Sequence, residues 1–144
     1  KNIEVRKYKK LLYAFRRKHK NIDSINLKWE IPSPLKIMNE TLIVKTEIGC
    51  GLSKKNIENK NISVQYRVGG EKLRLNNFSK SKTVKQLFQE RGVLPWERDR
   101  FPMIYVNGML VAIPGMCTDI GYLAADDEPS WKIVWSGYEK AVES

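Results

Sequence analysis

The residues with the most chemical potential lie between Lys80 and Pro102, in the stretch KSKTVKQLFQERGVLPWERDRFP. Lys80, Lys82, Lys85, Arg91, Arg98 and Arg100 are interleaved there with Phe88, Trp96 and Phe101. Lysine and arginine neutralise phosphates, and arginine adds bidentate and stacking contacts to RNA. A tryptophan beside such groups stacks on an unpaired base or ribose. Each residue also has a plainer reading. Trp96 after Pro95 more commonly packs into a core, and Arg98 between Glu97 and Asp99 forms ordinary surface ion pairs.

Catalytic constellations are missing from the sequence. His19 is the only histidine, and Cys50 and Cys117 stand far apart, so no usual structural zinc site is spelled out. There is no GxxxxGK[ST], no GxGxxG after a strand and no GxSxG. Asp126, Asp127 and Glu128 run into Pro129, a pattern that reads as an exposed acidic turn rather than a metal site. Two isolated cysteines read as reduced thiols of a cytosolic protein, packed as small apolar groups.

The 144 residues suit one domain with its own core. A hydrophobic share of 42% against 29% charged residues describes a globular chain rather than a disordered one. No apolar run approaches the roughly 18 residues of a membrane span, and no apolar segment follows the basic N-terminus as a signal peptide requires. The chain starts at Lys1 rather than Met, so it is expected to be a piece of a longer or trimmed protein. The net charge of +10 favours an anionic partner, nucleic acid or an acidic membrane surface. The charge is uneven: residues 1–22 carry nine Lys and Arg against Glu4, whereas acidic residues dominate from Asp119 onward.

These residues need elements to hold them. Ile3 to Phe15 fits helical and strand spacing equally. Alternation in Ile25 to Ile31, stopped by Pro32, predicts a strand, as does Thr41 to Ile48, stopped by glycine. Ser53 to Asn61 reads as an exposed polar loop. Ile62 to Leu75, with Gly69-Gly70 in the middle, reads as a hairpin, and Asn76 to Lys82 as a polar loop. Thr83 to Arg91 is the clearest helix, with Thr83 as its cap, Val84, Leu87 and Phe88 as its apolar stripe, and Gly92 as its stop. Met103 to Ile113 reads as a hairpin about Asn107-Gly108, and Trp131 to Trp135 as a last strand. Many short strands with one clear helix, near 83–91, make a β-rich α+β domain. The expected division is a basic lead-in (1–22), one domain (23–137) and a tail (138–144).

Several of these segments also resemble a known family, in order. YRVGGE (66–71) is similar to the opening of the C-terminal domain of bacterial tRNA(Ile)-lysidine synthases. SKTVKQLFQE (81–90) resembles that family's SxxLKxLFQE helix, VLPWERDRFP (93–102) its xxPPWxRxRxP stretch, and LVAIPG (110–115) its LVAVPG. WKIVW (131–135) fits its closing strand. The strong likeness covers about 62–136. Leu94 replaces a family proline, and Asn76-Asn77-Phe78 replaces a Pro-Gly-Arg type loop, so no RNA contact is carried over to that loop.

The resemblance implies an ATP-dependent ligase that joins lysine to C2 of the wobble cytidine of an isoleucine tRNA with a CAU anticodon. The ATP, with Mg, belongs to an N-terminal SGGxDS loop that these residues do not contain; Gly69-Gly70 is no substitute for it. This domain is then expected to be non-catalytic, without a cofactor of its own, cytoplasmic, and to grip tRNA away from the anticodon, at the acceptor stem. The resemblance also implies two packed, mainly antiparallel sheets, a β-sandwich of a type shared with the β subunit of phenylalanyl-tRNA synthetase. The expected tRNA-binding residues are Lys82, Lys85, Arg91, Trp96, Arg98 and Arg100, with Arg67, Lys72, Arg74 and Lys80 as a second set. The N-terminus of the helix at Thr83 would add partial positive charge. The rival reading is a stand-alone RNA- or anionic-surface-binding module.

Overall fold

The computed structural model describes residues 26–75 and 80–141. Residues 1–25, with the basic lead-in and the Ile3 to Phe15 segment, residues 76–79, with Asn76-Asn77-Phe78, and residues 142–144 lie outside the described residues. In chain order the strands are β1 (Asn26–Lys28), β2 (Leu35–Ile37), β3 (Glu40–Ile48), β4 (Leu52–Ser53), β5 (Ile62–Gln65), β6 (Lys72–Leu73), β7 (Lys82–Thr83), β8 (Met103–Val106), β9 (Met109–Ile113), β10 (Cys117–Thr118) and β11 (Pro129–Trp135). The helices are α1 (Lys54–Ile57), α2 (Val84–Glu90), a 3₁₀ helix (Pro95–Arg100) and α3 (Tyr138–Ala141). Two antiparallel sheets dominate, ordered β1-β5-β8-β9-β10 and β2-β3-β11-β4, and β6 and β7 form a small third sheet. The β-rich α+β class expected from the sequence is the class observed.

The longest pairing joins β3 to β11, from Leu42 opposite Trp135 to Ile48 opposite Pro129. Strands this far apart in sequence pair because both bury one face in a common core: Leu42, Ile133 and Trp135 join Val64, Ile104, Val111 and Ile113 of the other sheet in one cluster. All four residues of β8 are buried, as expected for a central strand covered on both faces. Phe101, fully buried, ties the layers together. Its ring centroid lies 5.0 Å from Phe88 on α2, 4.8 Å from Trp135 on β11 and 6.0 Å from Tyr138 on α3.

Local signals account for the elements around the basic stretch. Thr83 Oγ1 accepts from the Gln86 N–H at 3.1 Å while Gln86 Oε1 accepts from the Thr83 N–H at 3.0 Å, a complete capping box. Val84, Leu87 and Phe88 are the buried face of α2. The β8–β9 hairpin turns at Asn107 (φ 50°) and Gly108 (φ 83°), the left-handed pair a two-residue hairpin needs. Gly49 is required for a different reason. A Cβ there would sit 2.4 Å from the Asp126 carbonyl oxygen.

Two expectations are corrected. Residues 62–75 do not form a hairpin: β5 lies between β1 and β8, and β6 pairs with β7. The Glu71 carboxylate explains the detour, since it accepts from the N–H groups of Val68 at 2.7 Å and Gly69 at 3.0 Å and closes the glycine loop on itself. Ser53–Asn61 is not simply an exposed loop. Ser53 caps α1, and Ile57 is buried. The 3₁₀ helix at 95–100 was not foreseen from the sequence; Pro95 begins it, as proline at a first helical position does. In addition, residues 138–141, expected to belong to the tail, form α3, with Ala141 fully buried.

Candidate nucleic-acid interface

The structure separates the expected basic residues by what their charges meet. Arg100 lies on the 3₁₀ helix and reaches two carboxylates, Glu40 at 3.0 Å and Glu97 in a still closer pair. Both carboxylates are only 14% exposed. Glu40 also accepts from the Ser136 hydroxyl at 3.0 Å, and that oxygen accepts from the Thr41 N–H at 2.9 Å. Arg100 therefore clamps the 3₁₀ helix to β3 and the end of β11. Arg98 Nε donates to the Val93 carbonyl at 3.3 Å. Arg67 pairs with Asp99 at 3.5 Å and lies 5.8 Å above the Phe88 ring, joining the glycine loop to the 3₁₀ helix and α2. Arg91 Nη2 donates to the Met116 carbonyl at 3.0 Å. These arginines are partly committed to holding the fold, a demand the fork geometry of guanidinium meets well.

The lysines differ. Lys82 bridges the ends of α2 by pairing with Glu90 at 2.9 Å, but both groups are largely exposed, so the pair is weak. Lys85 points from the open face of α2, and Lys72 and Lys80 are exposed. Arg74 is 54% exposed and approaches Asp119 only at 3.9 Å. The second-choice residues Lys72, Arg74 and Lys80 thus present more outward charge than the first-choice arginines. Three N–H groups at the N-terminus of α2 already have partners within the chain. The Thr83 and Gln86 N–H groups serve the capping box, and Val84 N–H donates to the Glu71 carbonyl at 2.9 Å.

Trp96 is half-buried and, with Tyr66 and Trp135, walls a recess of about 250 Å³ that also contains Glu40, Glu97 and Arg100. Two carboxylates against one guanidinium make that recess unfavourable for phosphate. A larger groove of about 480 Å³ lies between β6 and the chain after β10. It is lined by Lys72, Arg74, Tyr105, Met109, Asp119 and Tyr122, among others. Tyr105 and Tyr122 were not singled out from the sequence. Tyr105 alternates inconspicuously within an apolar strand and Tyr122 sits in a loop, so neither carries a local signal.

Glu128 accepts from the Ser53 hydroxyl at 2.6 Å and the Ala125 N–H at 2.9 Å, closing the acidic turn. Those two bonds, the Ser53 one foremost, hold its carboxyl below the usual range. Cys50 and Cys117 are free thiols. Burial pushes the Cys117 thiol up to about 11. No cluster of three or more His, Cys, Asp or Glu side chains suited to a metal occurs among the described residues. No helix among them is long and apolar enough to cross a membrane.

The domain is thus β-rich, with exposed cations on its exterior and arginine clamps beneath them. The family described as the TilS substrate C-terminal domain matches residues 62–135, and the chain belongs to that family. The match spans the glycine loop, α2, the 3₁₀ helix and the strands through β11. Among curated relatives, the tRNA(Ile)-lysidine synthase of Coxiella burnetii is 29% identical over 133 residues, covering 91% of this chain and 29% of the relative. That of Legionella pneumophila strain Paris is 29% identical over 140 residues, covering 92% of this chain and 30% of the relative. The chain therefore spans less than a third of the length of these relatives. A crystal structure of a TilS C-terminal domain superposes with a TM-score of 0.62 at 17% identity, covering 83% of this chain and 98% of the other. That likeness concerns the fold.

Proposed function

We propose that this domain is the tRNA-gripping C-terminal part of a cytoplasmic tRNA(Ile)-lysidine synthase. In this reading the whole enzyme uses ATP, with Mg, to join lysine to C2 of the wobble cytidine of an isoleucine tRNA with a CAU anticodon. The ATP site lies outside these residues, and the domain itself contributes binding rather than chemistry. The observation that carries the reading is the collinear family match over 62–135, shared with relatives named for this activity. The charge supports it: Lys72, Arg74, Lys80 and Lys85 face outward on a chain of net charge +10. A-form RNA hides its deep groove from side chains, so exposed cations would read backbone and shape, as a duplex acceptor stem requires.

The test is a salt titration of the whole chain with the CAU-anticodon isoleucine tRNA. Affinity should fall steeply as salt rises, with each phosphate contact contributing roughly 0.7 to 0.9 to the log–log slope. An acceptor-stem minihelix should compete for the chain, and an anticodon stem-loop should not. Absence of tRNA binding at low salt, with binding to anionic vesicles instead, would overturn the proposal in favour of an anionic-surface module.

A further inference from the structure

The groove beside β6 has features that a duplex-binding face does not need. Its volume falls within the roughly 300 to 1,000 Å³ of small-ligand sites. Aromatic and thioether side chains line it: Tyr105, Tyr122 and Met109, the last 65% exposed to solvent. Its two carboxylates are turned inward. Glu71 accepts from the Val68 and Gly69 N–H groups, and Asp119 from those of Gly121 at 2.9 Å and Arg74 at 3.1 Å. The cations at its rim are turned outward, since Lys72 is exposed and Arg74 meets Asp119 only at 3.9 Å. Lys60, outside the lining, sets its ammonium 5.5 Å from the Tyr122 ring centroid. Burial, and then the Glu71 carboxylate, push the Tyr105 phenol up to about 12; like any phenol it is a hydrogen-bond donor at neutral pH.

Positive charge around a stacking surface is the arrangement that binds unpaired nucleotides. We propose that this groove takes an unpaired nucleotide from the single-stranded end of the bound RNA, its base against Tyr122 and Met109 and its phosphate at Arg74 and Lys72. The inference rests on the RNA-binding reading above and adds a second kind of contact to it. Stacking is tolerant of base identity, so the groove would recognise a free end rather than a sequence. The Trp96 recess is the other aromatic candidate, but its two carboxylates face one guanidinium, and a phosphate would be repelled there.

The experiment compares the whole chain bound to an RNA minihelix with a single-stranded 3′ overhang and to the same helix with a blunt end. The overhang should bind roughly five- to a hundredfold more tightly. Tyr122→Leu should remove most of that gain while leaving affinity for the blunt helix within about twofold, and Arg74→Gln, which also takes away a cation facing the duplex, should remove most of the gain measured against its own blunt-helix affinity, with circular dichroism confirming the fold of both. In the unsubstituted chain, 4-thiouridine in the overhang should cross-link to the peptide carrying Tyr122, a readout that does not depend on variant folding. Equal affinity for the two RNAs, a gain that survives both substitutions, or a cross-link confined to another face would overturn the groove and leave the duplex-binding reading standing. Failure of both RNAs to bind would overturn that reading itself.

Discussion

Arg100 and Lys85 both stand in the basic stretch, and the structure gives their charges opposite surroundings: Arg100 is paired with carboxylates and Lys85 is exposed. Arg100→Gln removes the cation that the structure sets against both Glu40 and Glu97, whose side chains are 14% exposed. An exposed ion pair contributes about 0–1 kcal/mol and breaking a buried one costs about 3–5 kcal/mol. Arg100 is 35% exposed and lies between these limits, so a loss of about 1–3 kcal/mol is expected, the cost of leaving low-exposure acceptors unpaired. With a urea m-value of about 1.5 kcal/mol/M for a small domain, a loss of about 2 kcal/mol lowers the unfolding midpoint by roughly 1.3 M. Under conditions where the variant is folded, its salt slope for tRNA should match the parent chain. Lys85→Gln should behave in the reverse way. Its stability should stay within about 0.5 kcal/mol of the original, and its salt slope should fall by up to about one unit. The assays are urea unfolding followed by tryptophan fluorescence and tRNA binding across a salt series. An Arg100→Gln chain of unchanged stability whose salt slope falls by about one would refute the clamp and make Arg100 a phosphate ligand.

Phe101→Ala empties the junction of α2, β11 and α3, and should cost about 3–5 kcal/mol in urea unfolding; a loss below about 1 kcal/mol would mean the three rings do not depend on it. Glu128 has a lowered folded-state pKa, so it contributes stability that is present above the ordinary glutamate value and lost as pH falls through the lower folded value. Ser53→Ala should therefore reduce the thermal midpoint at pH 7 more than at pH 3, and an equal loss at both would show that the hydrogen bond is not what lowers the pKa. Cys117, held at about 11, should react with iodoacetamide at pH 8.5 about tenfold or more slowly than free cysteine, even after its higher intrinsic nucleophilicity is counted; peptide mapping of the alkylated chain reads this directly.

Elements whose cause is local were legible in the sequence. The capping residue, apolar stripe and stop of α2 all lie within ten residues, and Asn107-Gly108 alone sets the turn of the β8–β9 hairpin. The strands β3 and β11 were visible from alternation, because each has one buried face. Their pairing was not, since an alternating strand carries no mark of its partner. The same limit explains the error over residues 62–75. Two alternating runs about a glycine pair resemble a hairpin, and only the Glu71 carboxylate and the competing edge of β8 send them elsewhere. For the interface, the sequence by itself determined the residue types: a basic stretch with interleaved aromatics, motifs in family order and no spelled-out catalytic constellation. Tertiary structure decided which charges remain outward. Glu40 lies 60 residues from Arg100 and Asp99 lies 32 from Arg67, so no local pattern announces these two pairs, whereas the Glu97–Arg100 pair is three residues apart and local. Folding brings distant carboxylates to the arginines and leaves the lysines on open faces, because Coulombic pairing depends on distance in space and not along the chain.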